Sequence, residues 1–261
     1  MIDGVLFDLD GVFYEGERPV PGGAEVLAEL RDRGVPFRLV TNTTSRPRSA
    51  LVDKLARLGI EVAPDAILTP VVAAAGWLAA RERVPVAPFF PEATRVDLGH
   101  VEQLPGDAET GAGAVVVGDL GEAWDFARLN RDFRLLMTEP RPVLVALGMT
   151  RYWQAEDGLR LDTAPFVKAL EHAAGVEAVV LGKPAAAFFE AACERLGTDP
   201  ARTLMVGDDV RTDVGGAQRA GLQGALVRTG KFRPGDLEGD VRPDLVLDSV
   251  AALPEELDRM R

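Results

Sequence analysis

The sequence predicts an α/β protein in which a parallel sheet with helical crossovers is split by a smaller inserted α/β domain. Short apolar runs alternate with segments of helical periodicity, the pattern such a sheet leaves in sequence. The middle of the chain repeats that alternation on its own, between two halves of the first pattern. Length agrees with this: 261 residues with 47% hydrophobic content can bury one large core or two modest ones.

Val5 to Phe7 is the first expected strand. Ala24, Val26, Leu27 and Leu30 then recur with helical spacing, and Gly34 supplies a left-handed stop. A strand at Pro36 to Val40 leads to a second amphipathic helix through Leu51, Leu55 and Leu58, closed by Gly59. Beyond the insert, strands are expected at Ala178 to Leu181, Thr203 to Val206, Ala225 to Val227 and Leu245 to Leu247, with a helix around Phe188 to Leu196 ending at Gly197. Within the insert, a strand at Ala114 to Val117, a helix from Glu122 to Leu136 and a strand at Val143 to Leu147 precede a hairpin over Arg151 to Leu161. The Asp157-Gly158 pair suits the tight turn of that hairpin, and a helix from Thr163 to Ala174 follows. The expected division is residues 1–80 and 176–261 for the discontinuous main domain and 81–175 for the insert. Arg83 to Pro91 and Leu104 to Gly113, with much Pro and Gly, read as loops.

Composition narrows the function. The 29 Lys and Arg against 41 Asp and Glu give a net charge of -12, which argues against a nucleic-acid polymer as partner. A small anionic substrate stays compatible, because charges beyond a Debye length of roughly 8 Å are largely screened and a local Lys and a metal ion outweigh the distant field. Cys193, the single cysteine, leaves no intrachain disulfide framework or thiolate metal cluster, and its apolar neighbours mark it as core filler. Met1-Ile2-Asp3-Gly4 does not read as a secretion signal. The longest apolar stretch, Val71 to Ala80, is about half of the ~20 residues a membrane span requires. No membrane association and a cytoplasmic location are expected.

Four apolar runs each end in a polar residue suited to phosphate chemistry: Phe7 before Asp8, Val40 before Thr41, Leu181-Gly182 before Lys183, and Val206-Gly207 before Asp208. Ligands of open parallel sheets bind outside the carboxyl ends of strands, so these residues should converge. In Asp8-Leu9-Asp10-Gly11-Val12, a carboxylate at a strand end can attack phosphorus, while one two residues later can protonate the leaving oxygen and then activate water. Two carboxylates this close raise each other's pKa, so a cation is needed to keep Asp8 ionised, and oxygen-rich ligation suits Mg2+. Taken alone, this segment would equally suit a solvated acidic turn. Gly207-Asp208-Asp209-Val210-Arg211-Thr212-Asp213 concentrates three carboxylates after a strand, whereas a helix start favoured by its dipole needs only one. In Thr41-Asn42-Thr43-Thr44-Ser45, Thr41 is placed to donate to a phosphate oxygen. The following N–H groups can form an anion cradle while Ser45 or Thr44 caps the next helix. Lys183 alone would pass for a surface lysine.

Asp8-x-Asp10-Gly11, Thr41-Asn42, Lys183 and Gly207-Asp208-Asp209-x-x-x-Asp213, in this order and after strands, resemble the four signature motifs of the haloacid dehalogenase (HAD) superfamily. The resemblance covers essentially the whole chain. The long insert, with Thr41-Asn42-Thr43-Thr44-Ser45-Arg46 and Gly182-Lys183-Pro184, is similar to subfamily IIA. The resemblance implies a doubly wound, Rossmann-like core carrying a mobile α/β cap, and a Mg2+-dependent phosphatase acting on a small phosphorylated substrate. Asp8 would form an aspartyl phosphate and Asp10 would be the general acid and base. Mg2+ would be held by Asp8, the backbone carbonyl of Asp10, and Asp208. Thr41, the backbone of Asn42, and Lys183 would grip the phosphoryl oxygens, with Asp209 and Asp213 behind the metal or orienting Lys183. Homodimer formation through the cap is a further implication of the likeness.

Two other functions use similar parts: a phosphotransferase or mutase on the same core, and a phosphate-accepting receiver module, which would be about half this length and has no need of Asp10. Arg151, Tyr152 and Trp153 either pack the insert or reach a leaving group. Trp77 and Trp124 lie on helical patterns and read as core anchors. Gly118-Asp119-Leu120-Gly121 lacks the spacing of a phosphate loop and reads as a turn. His100 and His172 have no metal-ligand spacing.

Overall fold

The structure is a computed structural model that describes residues 2–155 and 157–259, apart from the side chain of Gln154. Two compact units emerge. Met1–Thr41, Ser49–Leu68 and Lys183–Arg261 form the first, Asn42–Arg48 and Thr69–Gly182 the second. The long stretch of the second unit runs from Thr69 to Gly182, where the sequence pattern had set 81–175, and Asn42–Arg48 joins that unit as well.

The chain enters through β1 (Gly4–Phe7), buried at every residue as a strand covered on both faces must be. A short antiparallel ribbon, β2 (Tyr14–Glu15) with β3 (Arg18–Pro19), leads to α1 (Gly23–Asp32), which buries Val26, Leu27 and Leu30. β4 (Phe37–Val40), α2 (Arg48–Arg57) and β5 (Ile67–Leu68) follow. The N–H of Arg48 donates to Asp97 Oδ2 at 2.8 Å. A distant carboxylate therefore supplies the cap expected from Thr44 or Ser45.

In the second unit, α3 (Pro70–Ala79) opens with the Thr69 hydroxyl accepting from the Val72 N–H and with Pro70 in the first turn, where no donor is lost. β6 (Val86–Phe89) occupies the stretch expected to be a loop, and all four of its residues are buried. Pro88 disguised it. β6 is the edge of its sheet, where a missing N–H is tolerated. β7 (Ala114–Val117) is followed by α4 (Phe126–Leu136), which begins later than Glu122 because Asp125 caps it by accepting the Arg128 N–H at 2.7 Å. After β8 (Val143–Ala146), β9 (Tyr152–Ala155) and β10 (Gly158–Leu161) form an antiparallel hairpin; Glu156 lies outside the described residues. α5 (Thr163–Ala174) stops at Gly175, φ 64°, and β11 (Val179–Val180) completes a parallel sheet of order β11-β8-β7-β6. Val115, Val117, Leu135, Leu144, Val167 and Leu170 form its core.

Three expectations change here. The strand over Ala178 to Leu181 pairs with β8 in this second sheet and does not extend the first one. Tyr152 and Trp153 are exposed at 50% and 44%, so they do not close a core. Trp77 and Trp124 are both only partly buried: the Arg81 guanidinium lies over the Trp77 ring, and Trp124 packs against the core of the second sheet and stacks on Phe166 with centroids 4.6 Å apart. In Gly118-Asp119-Leu120-Gly121 the Asp119 carboxylate accepts the Gly121 N–H at 2.8 Å, ahead of a short 3-10 turn over Gly121–Ala123.

The chain returns to the first unit with α6 (Ala186–Leu196), which buries Cys193 and ends at Gly197, φ 77°. β12 (Thr203–Gly207), α7 (Gly215–Arg219), β13 (Gln223–Val227), β14 (Leu245–Leu247) and α8 (Leu253–Arg259) follow. The six-stranded sheet has the order β14-β13-β12-β1-β4-β5 and is parallel throughout. Residues before the insert build outward from β1 in one direction and those after it in the other. The order therefore reverses between β1 and β12, the place where doubly wound sheets open a crevice. Phe7, Leu9, Phe13, Leu27, Leu39, Leu55, Leu204 and Val206 share one core against this sheet. Among the described residues, no helix is long and apolar enough to cross a membrane.

Candidate active site

β1 and β12 run side by side with Phe7 level with Val206, so Asp8 and Asp208 leave adjacent strands at the same edge, one and two residues past that level. Asp8 is held there by its N–H donating to the Val206 carbonyl at 2.9 Å. Leu9, Val12 and Phe13 are buried and turn the chain back, with the Gly11 N–H donating to the Tyr14 carbonyl at 2.7 Å. The turn anchors its apolar residues in the core and leaves Asp10 at the exposed rim. Gly11 has φ 80°, and a Cβ there would run into the Asp208 carboxylate, so only glycine lets the two segments touch. Gly207 serves β12 in the same way, because a Cβ there would overlap the Asp213 carboxylate.

Lys183 reaches the same place although the strand before it belongs to the other sheet. Its ammonium is 4% exposed as a residue and donates to Asp8 Oδ1 and Asp213 Oδ1, both at 2.7 Å. Asp213 Oδ2 accepts the Asp209 N–H at 3.2 Å, so both oxygens of Asp213 are engaged. Asp209 in turn accepts the N–H groups of Arg211 and Thr212, capping the helical turn Val210–Val214. Thr41 is buried at the end of β4, beside β1, with its N–H on the Leu68 carbonyl. Asn42 groups with the second unit, where its side chain lies against Gly182.

Crowded acid dominates the electrostatics. Burial, reinforced by the Asp8 charge and opposed by the Lys231 N–H and ammonium, pushes the Asp208 carboxyl up to about 6. Burial also raises Asp213, against the pull of Lys183. For Lys183, burial alone would lower the ammonium's pKa, but the carboxylates of Asp213 and Asp8 outweigh it and raise the value. Asp10 is raised by lost hydration and then by Asp8, with Lys54 and Lys231 opposing. One oxygen from each of Asp8, Asp208 and Asp213 lies within 4.8 Å of the others, and Asp208 Oδ1 is buried with no hydrogen-bond partner among the described residues. Such an all-carboxylate set, with an orphaned anionic oxygen, fits a hard divalent cation.

The sequence reading passed over Thr229, Gly230 and Lys231. The Lys231 N–H donates to Asp208 Oδ2 at 2.8 Å, and its ammonium lies 3.9 Å from Asp209 Oδ2. The signal was present: this segment too follows an apolar strand, Ala225 to Val227.

A model of haloacid dehalogenase-like hydrolases matches residues 5–95, and a second HAD-hydrolase-like model matches residues 180–253. Phospholysine phosphohistidine inorganic pyrophosphate phosphatase of Homo sapiens is 35% identical over 255 residues, covering 96% of this chain and 92% of the relative. The chain belongs to the haloacid dehalogenase-like hydrolase family. Another family member, haloacid dehalogenase-like hydrolase domain-containing protein 2 of Bos taurus, is 39% identical over 239 residues, covering 92% and 88% of the two chains. Among solved structures, 4-nitrophenylphosphatase from Thermotoga maritima superposes with a TM-score of 0.85 at 26% identity, covering 97% of each chain.

Proposed function

We propose that this family member is a Mg2+-dependent phosphatase that hydrolyses small phosphorylated molecules through an aspartyl phosphate on Asp8. The observation that carries this is the buried meeting of Asp8, Lys183, Asp208 and Asp213 at the strand-order reversal, with one oxygen of Asp208 unpartnered. The relatives, among them a phospholysine phosphohistidine inorganic pyrophosphate phosphatase and a 4-nitrophenylphosphatase, point to the same class of reaction.

An oxygen of Asp8 attacks phosphorus, the bond from phosphorus to the leaving oxygen breaks, and the Asp10 carboxyl gives that oxygen its proton. Asp10, now ionised, takes a proton from water as the water oxygen attacks the phosphorus. The bond to Asp8 breaks and phosphate leaves. The raised pKa of Asp10 suits a group that must carry a proton at the first step, and it favours hydrolysis over a receiver module, which has no use for such a group. Lys183, the Thr41 hydroxyl and the Asn42 N–H hold the phosphoryl oxygens. Asp8, the Asp10 carbonyl and Asp208 would hold Mg2+, which when bound would offset the charge gathered on the phosphoryl oxygens. Asp213, with both oxygens engaged, orients Lys183, and Asp209 stands behind as a cap.

The second unit is the cap of this reading, and a cytoplasmic homodimer formed through it is the accompanying proposal. The deciding experiment is hydrolysis of p-nitrophenyl phosphate with Mg2+ by the parent and by Asp8→Asn. The variant should lose several orders of magnitude in kcat, as covalent hydrolases do without their nucleophile, while its circular dichroism stays unchanged. Substantial turnover by Asp8→Asn would assign the nucleophile elsewhere.

A further inference from the structure

One residue beyond the end of β13, three consecutive residues each make a hydrogen bond to a different part of the site. The Thr229 hydroxyl donates to the Gly11 carbonyl. The Gly230 N–H donates to Glu15 Oε1 at 2.7 Å, and the Lys231 N–H to Asp208 Oδ2 at 2.8 Å. Clearance is minimal. Gly230 has φ 66°, and a Cβ on it would overlap Asp208 Oδ2 and come within 2.5 Å of the Gly11 Cα.

The consequence for Asp208 is an asymmetric carboxylate. Oδ2 is occupied by the Lys231 N–H, while Oδ1 is buried and has no partner among the described residues. A buried anionic oxygen left bare is costly, so Oδ1 is the atom the fold reserves for a cation. The same segment fixes the turn after β1. The Gly11 N–H is bound to the Tyr14 carbonyl and the Gly11 carbonyl to Thr229, so the peptides on both sides of Gly11 are held, including the one that carries the Asp10 carbonyl.

We infer that Thr229-Gly230-Lys231 is a positioning strap for the metal site: it aims Asp208 Oδ1 and the Asp10 carbonyl at one point by holding their neighbouring groups. The strap acts through Asp208 and the Gly11 turn, and none of its three residues is assigned contact with substrate. The inference rests on the proposed metal site, so its test must separate the two.

Mg2+ affinity is measured by titration calorimetry on the full chain without substrate, alongside melting curves. Asp208→Asn is the reference and should abolish binding. Mg2+ binding that survives in it removes the metal assignment itself and the strap with it. Thr229→Val keeps the side-chain shape and deletes the donor. It should weaken Mg2+ by about 10- to 100-fold, the scale seen when outer partners of metal ligands are lost, and Thr229→Ser should restore it. Gly230→Ala should weaken Mg2+ as well. Thr229→Val binding Mg2+ as tightly as the parent, while Asp208→Asn does not bind, overturns the strap and leaves the metal site standing. Weakened binding in Thr229→Val that Thr229→Ser fails to restore also overturns it, because the hydroxyl is then not the agent.

Discussion

Asp132 on α4 is wholly buried, and neither of its carboxyl oxygens has a hydrogen-bond partner among the described residues. Burial, opposed only by the Arg131 charge, pushes its carboxyl up to about 9 from an ordinary 3.8. The folded state therefore holds a proton that the unfolded chain releases. Stability contributed by this group is full below the unfolded value and falls as pH rises from about 4 to about 9. Near pH 7 the proton uptake costs on the order of 4 kcal/mol. Asp132→Asn, which needs no proton, should flatten the decline of Tm with rising pH, and its gain over the parent should be larger at alkaline than at acidic pH. An unchanged slope would mean that Asp132 reaches water or a partner in solution. At this scale Asp132 was illegible, because in the helical pattern of α4 an acid reads as a surface residue and only the packed fold shows it enclosed. Asp208 differs in kind: its neighbours Asp209 and Asp213 announced chemistry in the sequence, yet which of its oxygens is free depends on Lys231, 23 residues later.

Elements show how local signals and distant partners divide the work. α4 starts where Asp125 caps it, an arrangement written in adjacent residues. Asp125→Ala should lower stability by about 0.5–2 kcal/mol, the range for losing such a cap, read as a shift of the urea midpoint at unchanged m-value. A midpoint equal to the parent's would assign the helix start to other contacts. α1, α2 and α6 were readable from their apolar patterns and their closing glycines, since an amphipathic stripe and a left-handed stop are properties of a dozen neighbouring residues. β6 was missed because its Pro88 argues against a central strand, and only the strand's edge position makes that proline harmless. β11 was foreseen as a strand but assigned to the wrong sheet. Two hydrogen-bonded residues carry no information about which neighbour they pair with, and β8 rather than β1 or β12 is that neighbour.

For the molecule as a whole, the first unit gathers Asp8, Lys183 and Asp208 from distant parts of the chain, Lys183 standing 175 positions after Asp8. Lys183 neutralises part of this buried acid, but Asp208 Oδ1 stays without a partner among the described residues and opposes folding until a further cation joins it. Mg2+ should therefore raise Tm, by an amount corresponding to about 2.7 kcal/mol at a hundredfold excess over Kd, and chelator should return it to the metal-free value. The same rise in Asp208→Asn would place the cation elsewhere. By itself, the sequence determined the α/β class, most of the helices and strands, and the set of polar residues that terminate apolar runs, because those signals lie within a few residues of one another. Only the tertiary structure decided which sheet each short strand joined, which acid was enclosed without a partner, and that Thr229 to Lys231 reach across to Gly11, Glu15 and Asp208. Burial and hydrogen bonding between segments two hundred residues apart exist only once the chain has closed on itself.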